Sequence, residues 1–171
     1  MTRALPATGL ALAATAVLTL GACAMGNDEP TEAELRAELA ARPSIDEATA
    51  AQDEMLAEIR TAVDAAIGPQ DWVREDAVSE SGCREFPGSQ GMERSSDRWV
   101  IEGGVTDQEW DLLEQAVTTV AGERGFQPPS IVRDEPGGHR LMISRDDGAI
   151  VDLGSSANLV LSARTGCHPR T

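Results

Sequence analysis

Residues 7–20 carry no charge, and Leu10, Leu12, Val17, Leu18 and Leu20 make the run strongly apolar. It stands behind one side-chain cation, Arg3, and ends in Leu20-Gly21-Ala22-Cys23. About 14 apolar residues fall short of the roughly 20 that a helix needs to span a bilayer core. A short apolar run after a cation and before small residues is the pattern of a secretory signal. The cysteine adds a second constraint. With Leu, Gly and Ala at the three preceding positions, cleavage between Ala22 and Cys23 leaves a thiol at the first position of the mature chain. That thiol can accept diacylglycerol as a thioether. Residues 1–22 therefore read as a lipoprotein signal peptide, with Cys23 as the lipidation site. Two or three acyl chains hold a protein stably at a bilayer, where one would be marginal. The polar stretch Gly26-Asn27-Asp28-Glu29-Pro30 then reads as part of a tether. An ordinary signal peptide with an incidental cysteine is the alternative.

This address governs the remaining cysteines. The chain has three, and with Cys23 acylated, Cys83 and Cys167 form an even pair outside the reducing cytosol. The simplest expectation is a disulfide between them. Two free thiols or metal ligands remain open. No Cys-x-x-Cys spacing occurs and the chain has only 2 His, which argues against zinc.

Removal of residues 1–22 leaves 149 of the 171 residues, enough for one domain with a real core. The full chain carries a formal charge of −15, and loss of Arg3 makes the mature part −16. Every cation is Arg. Such acidity disfavours nucleic acid as a partner, because phosphates are bound by clustered Lys and Arg. It also disfavours an anionic membrane surface, so the membrane would be reached through the covalent lipid.

Residues 23–43 read as a tether with a possible short, loosely held helix. Thr31 and Glu34 have capping-box spacing, followed by Leu35 and Leu39. A single domain is expected over 44–169. Ser44 and Glu47 repeat the capping spacing, and Ile45, Ala48, Met55, Ile59, Val63 and Ile67 recur on one helical face before Gly68-Pro69. Residues 72–78 and 98–103 suggest strands, and 79–96, rich in turn residues, suggest a long loop. Thr106 and Glu109 open a third helix-start signal. It is followed by Trp110, Leu113, Val117 and Val120, with Gly125 as the stop. Runs rich in Val, Ile and Leu at 130–134, 139–144, 149–153 and 158–164 are separated by turn signals, the mark of an antiparallel meander. The expected fold is α+β: a single antiparallel sheet with two helices packed on one face, after a flexible lipid-anchored tether.

These residues resemble the LppA-like lipoproteins of mycobacteria and related actinobacteria. The likeness rests on the lipobox Cys23, the helix end Ala65-Ala66-Ile67-Gly68-Pro69-Gln70-Asp71-Trp72, and Cys83. It also rests on the join Val105-Thr106-Asp107-Gln108-Glu109-Trp110 and the terminal Thr165-Gly166-Cys167. It spans about 45–168. It implies a membrane lipoprotein with a compact domain and a Cys83–Cys167 pairing, and it carries over no catalytic residue.

Other chemistry is weakly signalled. His139 and His168 read as exposed loop histidines. A Ser–His–Asp site would need a geometry that Gly88-Ser89-Gln90-Gly91 does not suggest. Asp146-Asp147-Gly148 fits a hairpin turn better than a cation loop, and Gly137-Gly138 a tight turn better than a phosphate cradle. Glu102 and Asp107 flank a strand-to-helix corner and could line a cleft. Trp72, Trp99 and Trp110 could stack on sugars but read first as core. No catalytic residue, metal or cofactor is expected. The function expected is that of an envelope lipoprotein on the extracytoplasmic face of the cell membrane. It would act as a non-enzymatic interaction or accessory module on an unknown envelope protein. The alternatives are a small-ligand or lipid binder with a pocket between helices and sheet, and a hydrolase. An apolar cavity of roughly 300 Å³ or more would favour the binder.

Overall fold

The computed structural model describes residues 30–75, 77–86 and 91–170. The expected signal peptide, with its expected cleavage site at Ala22 and lipidation site at Cys23, lies outside the described residues. Among the described residues, three helices and nine strands form an α+β domain with one antiparallel sheet. In chain order these are α1 (Glu32–Ala40), α2 (Ile45–Ile67), β1 (Val73–Glu75), β2 (Ser79–Gly82), β3 (Gly91–Ser95) and β4 (Arg98–Glu102). There follow α3 (Asp107–Glu123), β5 (Ser130–Glu135), β6 (Gly138–Ser144), β7 (Ile150–Ser155), β8 (Asn158–Arg164) and β9 (His168–Pro169).

All three helices start on a complete capping box. Thr31, Ser44 and Thr106 each accept the N3 backbone N–H, while Glu34, Glu47 and Glu109 reach back to the cap residue's own N–H. Each box satisfies two of the donors that a helix start leaves open. Gly68 stops α2 with φ 92°, a conformation that L side chains rarely adopt.

The sheet runs β1-β4-β8-β7-β6-β5, and β3 pairs with β2, β8 and β9. Strands come in collinear segments: β1 and β2 lie along β4 and β3, which in turn lie along β8 and β9. The expected loop over 79–96 is thus corrected. Residues 79–82 and 91–95 are strands, paired Ser79 to Ser95 through Gly82 to Met92. Their sequence hides this. Ser-Glu-Ser-Gly has no apolar alternation, and β2 is exposed along its whole length. What makes β3 a strand is its pairing with the end of β8 and with β9.

The core joins one stripe of α2 (Met55, Leu56, Ile59, Val63) and one of α3 (Trp110, Leu113, Val117, Ala121) to alternate residues of β6, β7 and β8. Leu141, Ile143, Val151, Leu153, Leu159 and Leu161 are all fully buried. Their intervening neighbours Arg140, Met142, Asp152 and Ser162 are not. Trp110 is a core residue, whereas Trp72 and Trp99 are only partly buried at its margin. The Trp72 indole N–H donates to Asp64 at 3.0 Å, and the Arg60 guanidinium lies 3.3 Å over the Trp99 ring.

A second, small cluster is built on the bond between Cys83 and Cys167, whose Cα atoms are 5.8 Å apart. Leu39 of α1 and Phe86 are buried against Cys167. Arg42 donates to the Cys167 carbonyl at 3.0 Å. The helix expected to be loosely held is therefore docked, because the disulfide presents an apolar surface that two leucines and a phenylalanine can cover.

Candidate functional site

Where α2 begins, its inner stripe is incomplete. Ile45, Met55, Leu56, Ile59 and Val63 are buried as an amphipathic helix requires, and the residue between them on the same face is Gln52, 6% exposed. Beside it a cleft of about 680 Å³ opens between the first half of α2, the segment after α1, the end of α3, the β6–β7 turn and β9. Ala48, Met55, Phe126 and Ala149 make part of its wall apolar, and its rim carries Arg42, Arg124 and Arg145.

Two polar side chains line this cleft without completing their hydrogen bonds. The Gln52 amide nitrogen and His168 Nε2 are buried and have no partner. Nδ1 of His168 lies 3.1 Å from the Pro43 carbonyl, which can only accept, so Nδ1 carries the proton. In the neutral ring Nε2 is then a bare acceptor. The Asp147 carboxylate, 3.8 Å away, also cannot donate when ionised. Burial lowers the His168 pKa, an effect that Pro43 and Asp147 oppose and Arg42 and Arg145 reinforce, so the ring is held neutral. The cleft thus offers one unmet donor and one unmet acceptor.

The three guanidiniums are already engaged. Arg42 pairs with Glu38 at 2.7 Å, Arg124 with Glu58 at 2.5 Å, and Arg145 with Asp147 at 2.6 Å. Arg145 also lies over the Phe126 ring at 5.0 Å.

His139 sits elsewhere. It is 5% exposed, against the expectation of an exposed loop residue, and the same correction applies to His168 at 3%. Nδ1 of His139 meets Asp134 at 2.9 Å and Nε2 meets Asp107 at 3.0 Å. Trp110 stacks on the ring with centroids 5.0 Å apart. Burial lowers its pKa, but hydrogen bonds and charge from the two carboxylates outweigh this and the net shift is upward. Both nitrogens are committed to carboxylates, an arrangement that suits an imidazolium clasp better than a base acting on a hydroxyl. Asp107 also accepts from the Gly137 N–H at 2.9 Å, so the corner it shares with Glu102 closes on the β5–β6 hairpin.

Asp146-Asp147-Gly148 forms a turn between β6 and β7: Asp147 accepts from Arg145 and from the Ala149 N–H, and Gly148 has φ 89°. Among the described residues no group of three His, Cys, Asp or Glu side chains could hold a metal. No described helix is long and apolar enough to cross a membrane. A second groove of about 620 Å³ runs over the other face of the sheet past Arg140, Asp152 and Ser162.

Sequence reasoning missed Gln52 and His168 as a pair. Gln52 left a trace, a polar residue where the apolar face of α2 passes from Ala48 to Met55. His168 left none, since its burial depends on where the chain passes after Cys167.

No curated protein matches this chain. Among solved structures, LppA from Mycobacterium tuberculosis superposes with a TM-score of 0.70 at 14% identity, covering 81% of this chain and 87% of its own. A DUF4853 family protein from Actinomyces odontolyticus gives 0.58 at 16% identity, covering 78% and 73%. At these identities the likeness is one of fold. A family model described as "LppA: Lipoprotein confined to pathogenic Mycobacterium" matches residues 25–170 of the 171. The chain belongs to the LppA family of lipoproteins.

Proposed function

We propose that this lipoprotein acts at the extracytoplasmic face of the cell membrane by binding, without catalysing a reaction, and that acyl chains on Cys23 hold it there. Family membership supports the class, and Leu20-Gly21-Ala22-Cys23 supports the attachment. In this reading α2 and α3 cover one face of the sheet, and the residues before α1 are the tether.

The expected role was that of an accessory module for another envelope protein. One observation favours the alternative, a small-ligand binder: the cleft of about 680 Å³ beside α2. It lies within the range of sites that enclose small molecules, and it has mixed apolar and polar walls. A protein partner would instead use the broad sheet face that carries Arg140 and Asp152.

Cys23→Ala should release the protein from membranes or stall it as the precursor. A cleaved form that stays membrane-bound would refute the anchor. Crosslinking in intact cells, with probes installed in turn at the cleft and at the sheet face, separates the two binding modes. Small-molecule adducts confined to the cleft support the binder. A protein adduct at the sheet face supports the accessory module.

A further inference from the structure

Gln52 is the starting point. It occupies a position on the buried face of α2 where Leu or Met would complete the stripe, and its amide nitrogen is buried with no partner. An unmet buried donor is destabilising. His168 Nε2 has the opposite need. Among the described residues only Thr118 Oγ1 shares this condition, so two of the three such atoms belong to residues lining one cleft. A cleft that holds one unsatisfied donor and one unsatisfied acceptor beside apolar walls is organised for a ligand that supplies both counterparts.

The ligand's charge follows from its surroundings. A carboxylate or phosphate diester could accept from Gln52, but when ionised it has no proton to give His168 Nε2. The guanidiniums that would attract it are paired with Glu38, Glu58 and Asp147. A mature chain of −16 also repels anions at long range. An ammonium could donate to His168 Nε2 but has no lone pair to accept from the Gln52 amide. An uncharged hydroxyl accepts and donates at once, and the apolar wall of Ala48, Met55, Phe126 and Ala149 calls for a hydrocarbon body.

We infer that the cleft between α2 and β9 binds an uncharged, hydroxyl-bearing amphiphile, its hydroxyl head between Gln52 and His168 and its hydrocarbon portion against Met55 and Phe126. The inference rests on the binding role proposed above and names the ligand class. A monoacylglycerol or another neutral lipid alcohol has this chemistry.

The test uses mature lipidated protein in nanodiscs, with empty nanodiscs as the blank for partitioning. The neutral probe is 4-phenyl-1-butanol and its anionic counterpart is 4-phenylbutanoate, both titrated calorimetrically. The alcohol should saturate one site and bind at least tenfold tighter than the carboxylate. Gln52→Leu should weaken it at least tenfold while leaving the melting temperature unchanged or raised. Ala51→Trp, on the exposed side of α2 at the cleft mouth, should abolish binding by filling the entrance and serves if Gln52→Leu does not fold. Alcohol heats equal to the blank would overturn the inference, as would undiminished binding by folded Gln52→Leu or by Ala51→Trp. A carboxylate bound as tightly as the alcohol would overturn it too, but would leave the binding role standing. That role fails separately, if the crosslinking experiment finds neither a small molecule in the cleft nor a protein on the sheet face.

Discussion

The two histidines answer to pH in opposite directions. His139 has a raised pKa in the folded protein, so the folded state binds its proton more tightly than the unfolded chain does. Its contribution is fully present below the unfolded value near 6.5 and is lost as pH rises through the folded value. His168 is held neutral, so its contribution is present above 6.5 and falls away as pH drops below that value and the unfolded chain takes up the proton first. Melting temperature measured from pH 5 to 9 should therefore lose its alkaline decline in His139→Gln and its decline just below 6.5 in His168→Gln. A glycine sets a second limit at this scale. A Cβ on Gly91 would lie 2.7 Å from Cys167 Sγ and 3.0 Å from Cys83 Sγ. Gly91→Ala should cost about 1–3 kcal/mol in urea unfolding, the usual penalty for overpacking a filled site. Reducing agent should shrink that penalty, because free thiols can move apart.

At the level of elements, the helix starts carry the most local information. Thr106→Ala removes the hydroxyl that caps α3 and should cost about 1 kcal/mol in chemical denaturation. The capping carboxylates respond to pH as well. Backbone and then hydroxyl hydrogen bonds lower the pKa of Glu34, Glu47 and Glu109 below their ordinary 4.5. Their contribution is present above that value and fades as pH falls through the folded values, so Glu109→Gln should flatten the acid limb of the stability curve. All three starts were legible in sequence because Ser or Thr followed three residues later by Glu is a complete local motif. The four strands from β5 to β8 were legible because their turns and their Val, Ile and Leu content repeat at short range. β2 and β3 were not legible. Arg94 shows why: it pairs with Glu80 at 2.7 Å and with Asp46 at 3.1 Å, tying β3 to β2 and, from 48 residues further back in the chain, to the start of α2.

For the molecule as a whole, the disulfide links the two segments that flank β3, since Gly82 and His168 both pair with Met92. Cys83 and Cys167 are 84 residues apart, and a loop of that size is worth about 4–5 kcal/mol in a chain-entropy model. Its second effect is packing, since Leu39 and Phe86 have Cys167 as their cover. A Cys83→Ser, Cys167→Ser double variant should lose stability by at least the typical 2–4 kcal/mol in denaturant. Hydrogen exchange in α1 should rise ahead of exchange in α2 and α3. Equal protection of all three helices would show that α1 does not depend on the bond.

From residue order alone came the three helix starts, the meander of β5 to β8, the α+β class and the pairing of Cys83 with Cys167. Each depends on contacts a few residues apart or on counting one residue type, and such information is written along the chain. The docking of α1, the strands β2 and β3, the burial of both histidines and the cleft at Gln52 were decided by the tertiary structure. They arise where segments far apart in sequence meet, as His168 meets Pro43 and His139 meets Asp107. Whether a side chain there is exposed or enclosed depends on which distant surface closes over it.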